Sequence, residues 1–216
     1  MMTEDKIYPG IDPRLADYVA QEILPLYDHF DRAHQRDHAL SVIDESMKLA
    51  ALYEVDRNMV YAIAALHDIG LQADRATHHL VSGRLIRQNP FLPTLFSPHQ
   101  IETMAQAAED HRASSTHLPR STYGLIVAEA DRCISPHTIV RRTIEYSLSH
   151  FPQYDKETHY QRFLEHMAEK YAEGGYLRLY IPQSDNARRL KAFQTLLKDE
   201  AATRRLFEEE WEGKRT

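Results

Sequence analysis

Four residues of this chain have types and positions that could place them around one buried charge: His38, His67, Asp68 and Asp131. Asp68 sits at the end of a helical stretch whose same-face neighbours, Tyr61, Ala64 and Ala65, are largely apolar, and His67 lies on the adjoining apolar face. A carboxylate placed there loses hydration that a cation or several hydrogen bonds must replace. An arginine, a helix N-terminus or a metal could each do so. His38 lies one turn before Val42 on the interior side of the preceding helix, and Asp131 closes a later helix behind Ile126, Val127 and Ala130. Helical bundles assemble metal sites from ligand-type residues projecting inward from facing helices. The competing reading of any one histidine on an apolar face is a hydrogen-bonded core residue.

The elements that must position these residues read as helices throughout. The chain has 7 glycines, and the stretches between breakers carry helical rather than alternating periodicity. Pro13 opens a first helix reaching about Phe30, with a kink expected at Pro25. A second runs from about His34 to Tyr53. The third starts near Arg57, places Val60, Ile63, Ala64 and His67 on one face, and is expected to stop at Gly70 as at a C-terminal glycine, with His67 and Asp68 in its last turn. Further helices are predicted over about 78–89, from the Ser97-Pro98 cap to about His111, from Tyr123 to Asp131, over 138–149, over 155–173 and, in zwitterionic sequence, over 186–211. The expected division is 1–175 as a helical domain with flanking helices and 176–216 as a helical extension packed on it.

Composition bounds the partners. Hydrophobic residues make up 43% of the 216 and charged ones 27%, enough apolar surface for a core. A formal charge of -6 argues against a nucleic-acid coat but not against a small anion held by local arginines. The single cysteine, Cys133, excludes an intrachain disulfide, and the start MMTEDKIYPG has neither a basic nor an apolar leader segment, so a cytoplasmic protein is expected. No apolar run approaches a membrane span. Cys133 itself reads as a small buried residue rather than a ligand.

His38 in HALSV, His67-Asp68 in AALHDIG and Asp131 in AEADR together resemble the H...HD...D signature of the HD-domain superfamily of metal-dependent phosphohydrolases, over about residues 28 to 135. The resemblance implies an all-α helical bundle holding a divalent metal through His38, His67, Asp68 and Asp131. His79 and His111 resemble the extra histidines of binuclear members, with Asp68 bridging two ions and His78 competing with His79 for its role. Mixed histidine and carboxylate ligation suits Mn, Fe, Ni, Co or Zn, with Mg possible. The implied activity is hydrolysis of a small phosphate ester or anhydride, of nucleotide type, by attack of a metal-bound water. Asp68 would act catalytically through the metal, and His34, one turn before His38, either as its outer partner or as a solvated first-turn residue. Arg75 and Arg112, beside the proposed ligands in sequence, are expected to contact phosphate. A di-iron oxygenase and a non-catalytic metal- or nucleotide-binding regulator are the alternatives. Leu71 after HDIG and RASSTHLP after His111 depart from cyclic-dinucleotide phosphodiesterases, and no ancillary domain of the alarmone synthetase-hydrolase kind is visible. The remaining histidines, His159 among them, are expected at the surface or in caps.

Overall fold

The computed structural model describes residues 8–31, 34–73, 76–113, 115 and 117–213, and among them it is helical with no strand. No helix is long and apolar enough to cross a membrane. The chain divides into two compact units, Met1–Arg132 and Cys133–Thr216.

The first unit begins with α1 (Pro13–Tyr18), capped by Asp12, whose side chain accepts from the Arg14 amide. The chain then passes through a π-helical turn, Val19–Ile23, into α2 (Leu24–Tyr27). Pro25 has no amide hydrogen to continue the α ladder, and the wider turn just before it absorbs the mismatch, which is the form the expected kink takes. α3 (Arg36–Ala50) and α4 (Arg57–Leu66) follow, and α4 is buried from Met59 to Leu66. α4 ends one residue short of the histidine: His67 is its C-cap, and Asp68 leads into a 3-10 turn over Ile69–Gln72. α5 (His78–Gln88), α6 (Pro98–Asp110) and α7 (Thr122–Asp131) complete the unit. The Ser97 cap is a full capping box closed by Gln100, and Ser121 caps α7.

Gly70 does not end a helix through a left-handed cap, because its φ is not positive. It is required by close approach instead. A Cβ there would lie 2.1 Å from the His78 carbonyl oxygen and 2.6 Å from the Ser82 amide nitrogen, while the Gly70 amide donates to Ser82 Oγ at 2.9 Å. The first turn of α5 is thus seated directly on the turn after Asp68.

In the second unit α8 (Pro136–His150), α9 (Lys156–Lys170), α10 (Asp185–Leu197) and α11 (Glu200–Glu212) surround a core that includes Ile139, Ile144, Phe163, Met167, Phe193 and Phe207. The final zwitterionic stretch is therefore two helices, broken where Asp199 caps α11. The compact units part between Arg132 and Cys133, and α8 and α9 share their core with α10 and α11. His159 is buried, contrary to its expected surface place, with Nδ1 2.7 Å from Ser147 Oγ. Cys133, half-buried, opens the unit with a positive φ of 37°.

Candidate metal centre

Five helix ends of the first unit converge on Asp68. His38 comes from the first turn of α3, His67 caps α4, His78 opens α5, His111 caps α6, and Asp131 is the last residue of α7. His67 is fully buried and Asp68 is 2% exposed. Tyr27 holds the turn between them: its hydroxyl donates to the Ala65 carbonyl at 2.9 Å and accepts from the Asp68 amide at 3.4 Å.

The two carboxylate oxygens of Asp68 face different partners. Oδ2 lies 3.3 Å from His67 Nε2 and 3.5 Å from His38 Nε2, and His38 Nε2 in turn lies 3.3 Å from Asp131 Oδ1. Oδ1 lies 3.3 Å from both His78 Nε2 and His111 Nε2, which are 3.1 Å apart. Two donors bound to one ion at about 2.1 Å stand roughly 3.0 Å apart at a right angle and roughly 3.4 Å apart at the tetrahedral angle. The donor atoms of each group, His38-His67-Asp68 and Asp68-His78-His111, all lie within 4.8 Å of one another, and each group could hold a metal ion.

The tautomers also suit a metal. His67 Nδ1 is 2.8 Å from the Ala64 carbonyl oxygen and His111 Nδ1 is 2.6 Å from that of Ala108. A carbonyl only accepts, so each Nδ1 carries the hydrogen and Nε2 is turned toward Asp68 with its lone pair available when the ring is neutral. The buried His38 Nε2, His67 Nε2 and Asp68 Oδ1 have no hydrogen-bond partner among the described residues. Polar atoms left so inside a protein call for a bound group, and a divalent cation fits this donor set.

Electrostatics keep the carboxylates charged. Burial would raise the Asp68 carboxyl, but His67, His111 and His38 around it hold it well below the usual range. Asp131 is likewise lowered against burial, chiefly by His38. Burial opposes protonation of His38, yet Asp131 and Asp68 outweigh it and push its pKa up to about 10. His111 is raised by Asp68 against its burial.

The sequence-expected residues divide as follows. His38, His67, Asp68, Asp131 and His111 are brought together. The second group takes His78 and not His79: one residue further along α5 turns the side chain by about 100°, and His79 instead lines a pocket of 580 Å³ with Leu80, Glu109, Arg112, Leu118 and Arg120. Burial, with His111, His78 and Arg112 nearby, lowers the His79 pKa to about 4. His34 sits outside both groups, with Nδ1 2.9 Å from Asp31 Oδ1 and its ring edge-on to His38 at 5.7 Å between centroids. Arg112 lines the same pocket as His79. Its Nη1 donates to the Ala76 carbonyl at 2.5 Å, and it pairs with no carboxylate among the described residues, Asp110 being taken by Arg120. Arg75 lies outside the described residues. Sequence reasoning missed Tyr27 and Arg132; the latter donates from Nη1 to the His111 carbonyl at 2.8 Å and to Asp131 Oδ2 at 3.3 Å.

No curated protein and no solved structure matches the chain. Residues 36–135 match the HD domain family, a segment that opens at the first residue of α3, closes just beyond α7 and includes every member of the cluster. The match over that segment supports membership of the HD-domain superfamily.

Proposed function

We propose that the protein hydrolyses a small phosphate ester or anhydride, of nucleotide type, at a two-metal centre bridged by Asp68. The observation that carries this reading is the division of the Asp68 carboxylate, one oxygen to His38 and His67 and the other to His78 and His111. His38, His67, Asp68 and Asp131 would hold one divalent ion and Asp68, His78 and His111 a second. When bound, such ions polarise a phosphoryl oxygen and lower the pKa of water. The chain's own groups do the rest. The Nδ1 hydrogens of His67 and His111, bonded to main-chain carbonyls, fix both rings so that Nε2 stays aimed at the reacting centre. Burial of the cluster excludes bulk water from one side and keeps the carboxylates from being solvated in place of a cation.

Arg112 supplies positive charge to the pocket beside the cluster, and Leu80 and Leu118, 53% and 69% exposed, give that pocket an apolar rim for the organic part of a substrate. His79, kept neutral near physiological pH, can exchange a hydrogen bond there without adding charge. The test is elemental analysis of the purified protein, followed by a phosphate-release screen across nucleotides and simple phosphate esters with Mn, Co, Ni, Zn, Fe and Mg. Phosphate release that requires metal supports the reading. Oxygen consumption by the iron-loaded protein, with no phosphate released from any substrate, would replace it with oxygenation.

A further inference from the structure

The side chain of Arg132 is only 2% exposed, in a class of residue almost never so deeply buried unless paired. Among the described residues it makes two bonds, both from Nη1, to the His111 carbonyl and to Asp131 Oδ2. Nε and Nη2 are buried with no hydrogen-bond partner among the described residues. Idle N–H groups on a buried cation weaken the fold, although the pair with Asp131 and the bond to the His111 carbonyl make the residue costly to remove alone. The two bonds it does make both go to residues of the candidate metal centre, Asp131 and His111.

The two groups that Nη1 joins lie on opposite sides of Asp68. Asp131 offers Oδ1 to His38, in the first donor group, while its Oδ2 is the oxygen that Arg132 holds. His111 offers Nε2 to Asp68 Oδ1, in the second group, while its main-chain carbonyl is the atom that Arg132 holds. The guanidinium thus touches neither proposed ion site with its own nitrogens but ties the end of α7 to the end of α6.

We propose that Arg132 is a positioning residue that sets the spacing of the two metal sites, by fixing the rotation of the Asp131 carboxylate and the place of the His111 backbone at once. The proposal rests on the two-metal reading above and adds to it a group that acts on both ions from outside the donor set. Outer partners of metal ligands commonly change affinity ten- to a hundredfold when removed.

The experiment is a calorimetric titration of metal-free protein with cobalt(II), on the wild type, Arg132→Met and Arg132→Lys, together with thermal unfolding of each metal-free protein. Two binding events are expected in the wild type, both weakened about ten- to a hundredfold in Arg132→Met. The metal-free Arg132→Met protein should unfold below the wild-type temperature, since Asp131 and the His111 carbonyl lose this donor; the loss of affinity at temperatures where the variant is fully folded is the readout that a merely structural residue would not move. Arg132→Lys keeps the charge but carries it on a shorter side chain without the planar guanidinium, so it should recover part of the affinity; if the Met variant does not fold, the Lys variant must itself bind both ions more weakly than wild type. Wild-type affinities in whichever variant folds overturn the role of Arg132 alone. A wild-type chain that takes up no cobalt overturns the metal centre, and this role with it.

Discussion

Gly70→Ala is the substitution whose effect on the site can be worked most directly from the backbone. The added methyl would stand 2.1 Å from the His78 carbonyl oxygen and 2.6 Å from the Ser82 amide nitrogen, against 3.4 Å for ordinary contact. Both are main-chain atoms of α5, so no rotamer change relieves the overlap, and the first turn of α5 must retreat by on the order of 1 Å. That turn carries His78, whose Nε2 now lies 3.3 Å from Asp68 Oδ1 and 3.1 Å from His111 Nε2. Sites of this kind need their groups held within about 0.5 Å. The retreat also breaks the bond from the Gly70 amide to Ser82 Oγ. Overpacking of this sort costs about 1–3 kcal/mol, a fall of several degrees in the melting temperature of a unit this size. The expected result in a cobalt titration is a first site close to wild type, since His38, His67 and Asp131 do not lie on α5, and a second site weakened at least tenfold. Ser82→Ala is the control: it removes the hydrogen bond, for about 1 kcal/mol, without moving the helix, and should keep both ions. A Gly70→Ala protein with two wild-type sites would refute the claim that this contact seats His78.

Four further outcomes follow from the same geometry. His78→Ala should lower the metal count from two toward one per chain, whereas His79→Ala should leave two and change substrate affinity, as read by elemental analysis and steady-state kinetics. Arg112→Ala should lower kcat/KM about ten- to a hundredfold with metal content intact, because a charge-assisted hydrogen bond is worth about 1.5–3 kcal/mol. In the metal-free protein His38 holds its proton up to about pH 10, and an entering ion must displace it; affinity should rise with pH below 10, by up to about tenfold per unit for each proton released, and calorimetry in buffers of different ionisation enthalpy should detect that release. Affinity that is flat between pH 6 and 9 would show that His38 does not ligate. Tyr27→Phe removes the hydroxyl that joins Ala65 to Asp68 and should cost about 1–3 kcal/mol of stability through the orphaned carbonyl, measured by denaturant unfolding.

The helical class and most helix starts were legible because caps and periodicity are local: Ser97-Pro98 marked α6 and the apolar face from Val60 marked α4. His38, His67, Asp68 and Asp131 were legible as ligand-type residues at apolar faces and helix ends, in the order that the family shares. The choice between His78 and His79 was not, because it depends on which side of α5 meets which neighbour. Each histidine has a small residue four positions on, Ser82 and Gly83, so helical spacing treats them alike. Tertiary contact separates them: Ser82 meets Gly70, while a Cβ on Gly83 would lie 2.5 Å from Glu109 Oε1. Tyr27 could be read as buried from its place in the first helix, but the partners of its hydroxyl lie on α4 and beyond it. Arg132 looked like one more charged residue after a helix end, since nothing in EADR shows that α6 ends where its guanidinium can reach the His111 carbonyl. The break before Asp199 was obscured by a charge pattern that continues evenly across it.

The central claim is that one carboxylate, Asp68, serves two cations, and counting metals in Asp68→Ala tests it most directly. The wild type and the variant would be stripped, reloaded with manganese or cobalt, dialysed and measured by elemental analysis, with circular dichroism to confirm that the variant is helical. The expected result is close to two ions per chain in the wild type and close to none in the variant, because each donor group loses its shared oxygen. A folded Asp68→Ala protein that keeps one or both ions would contradict the bridge.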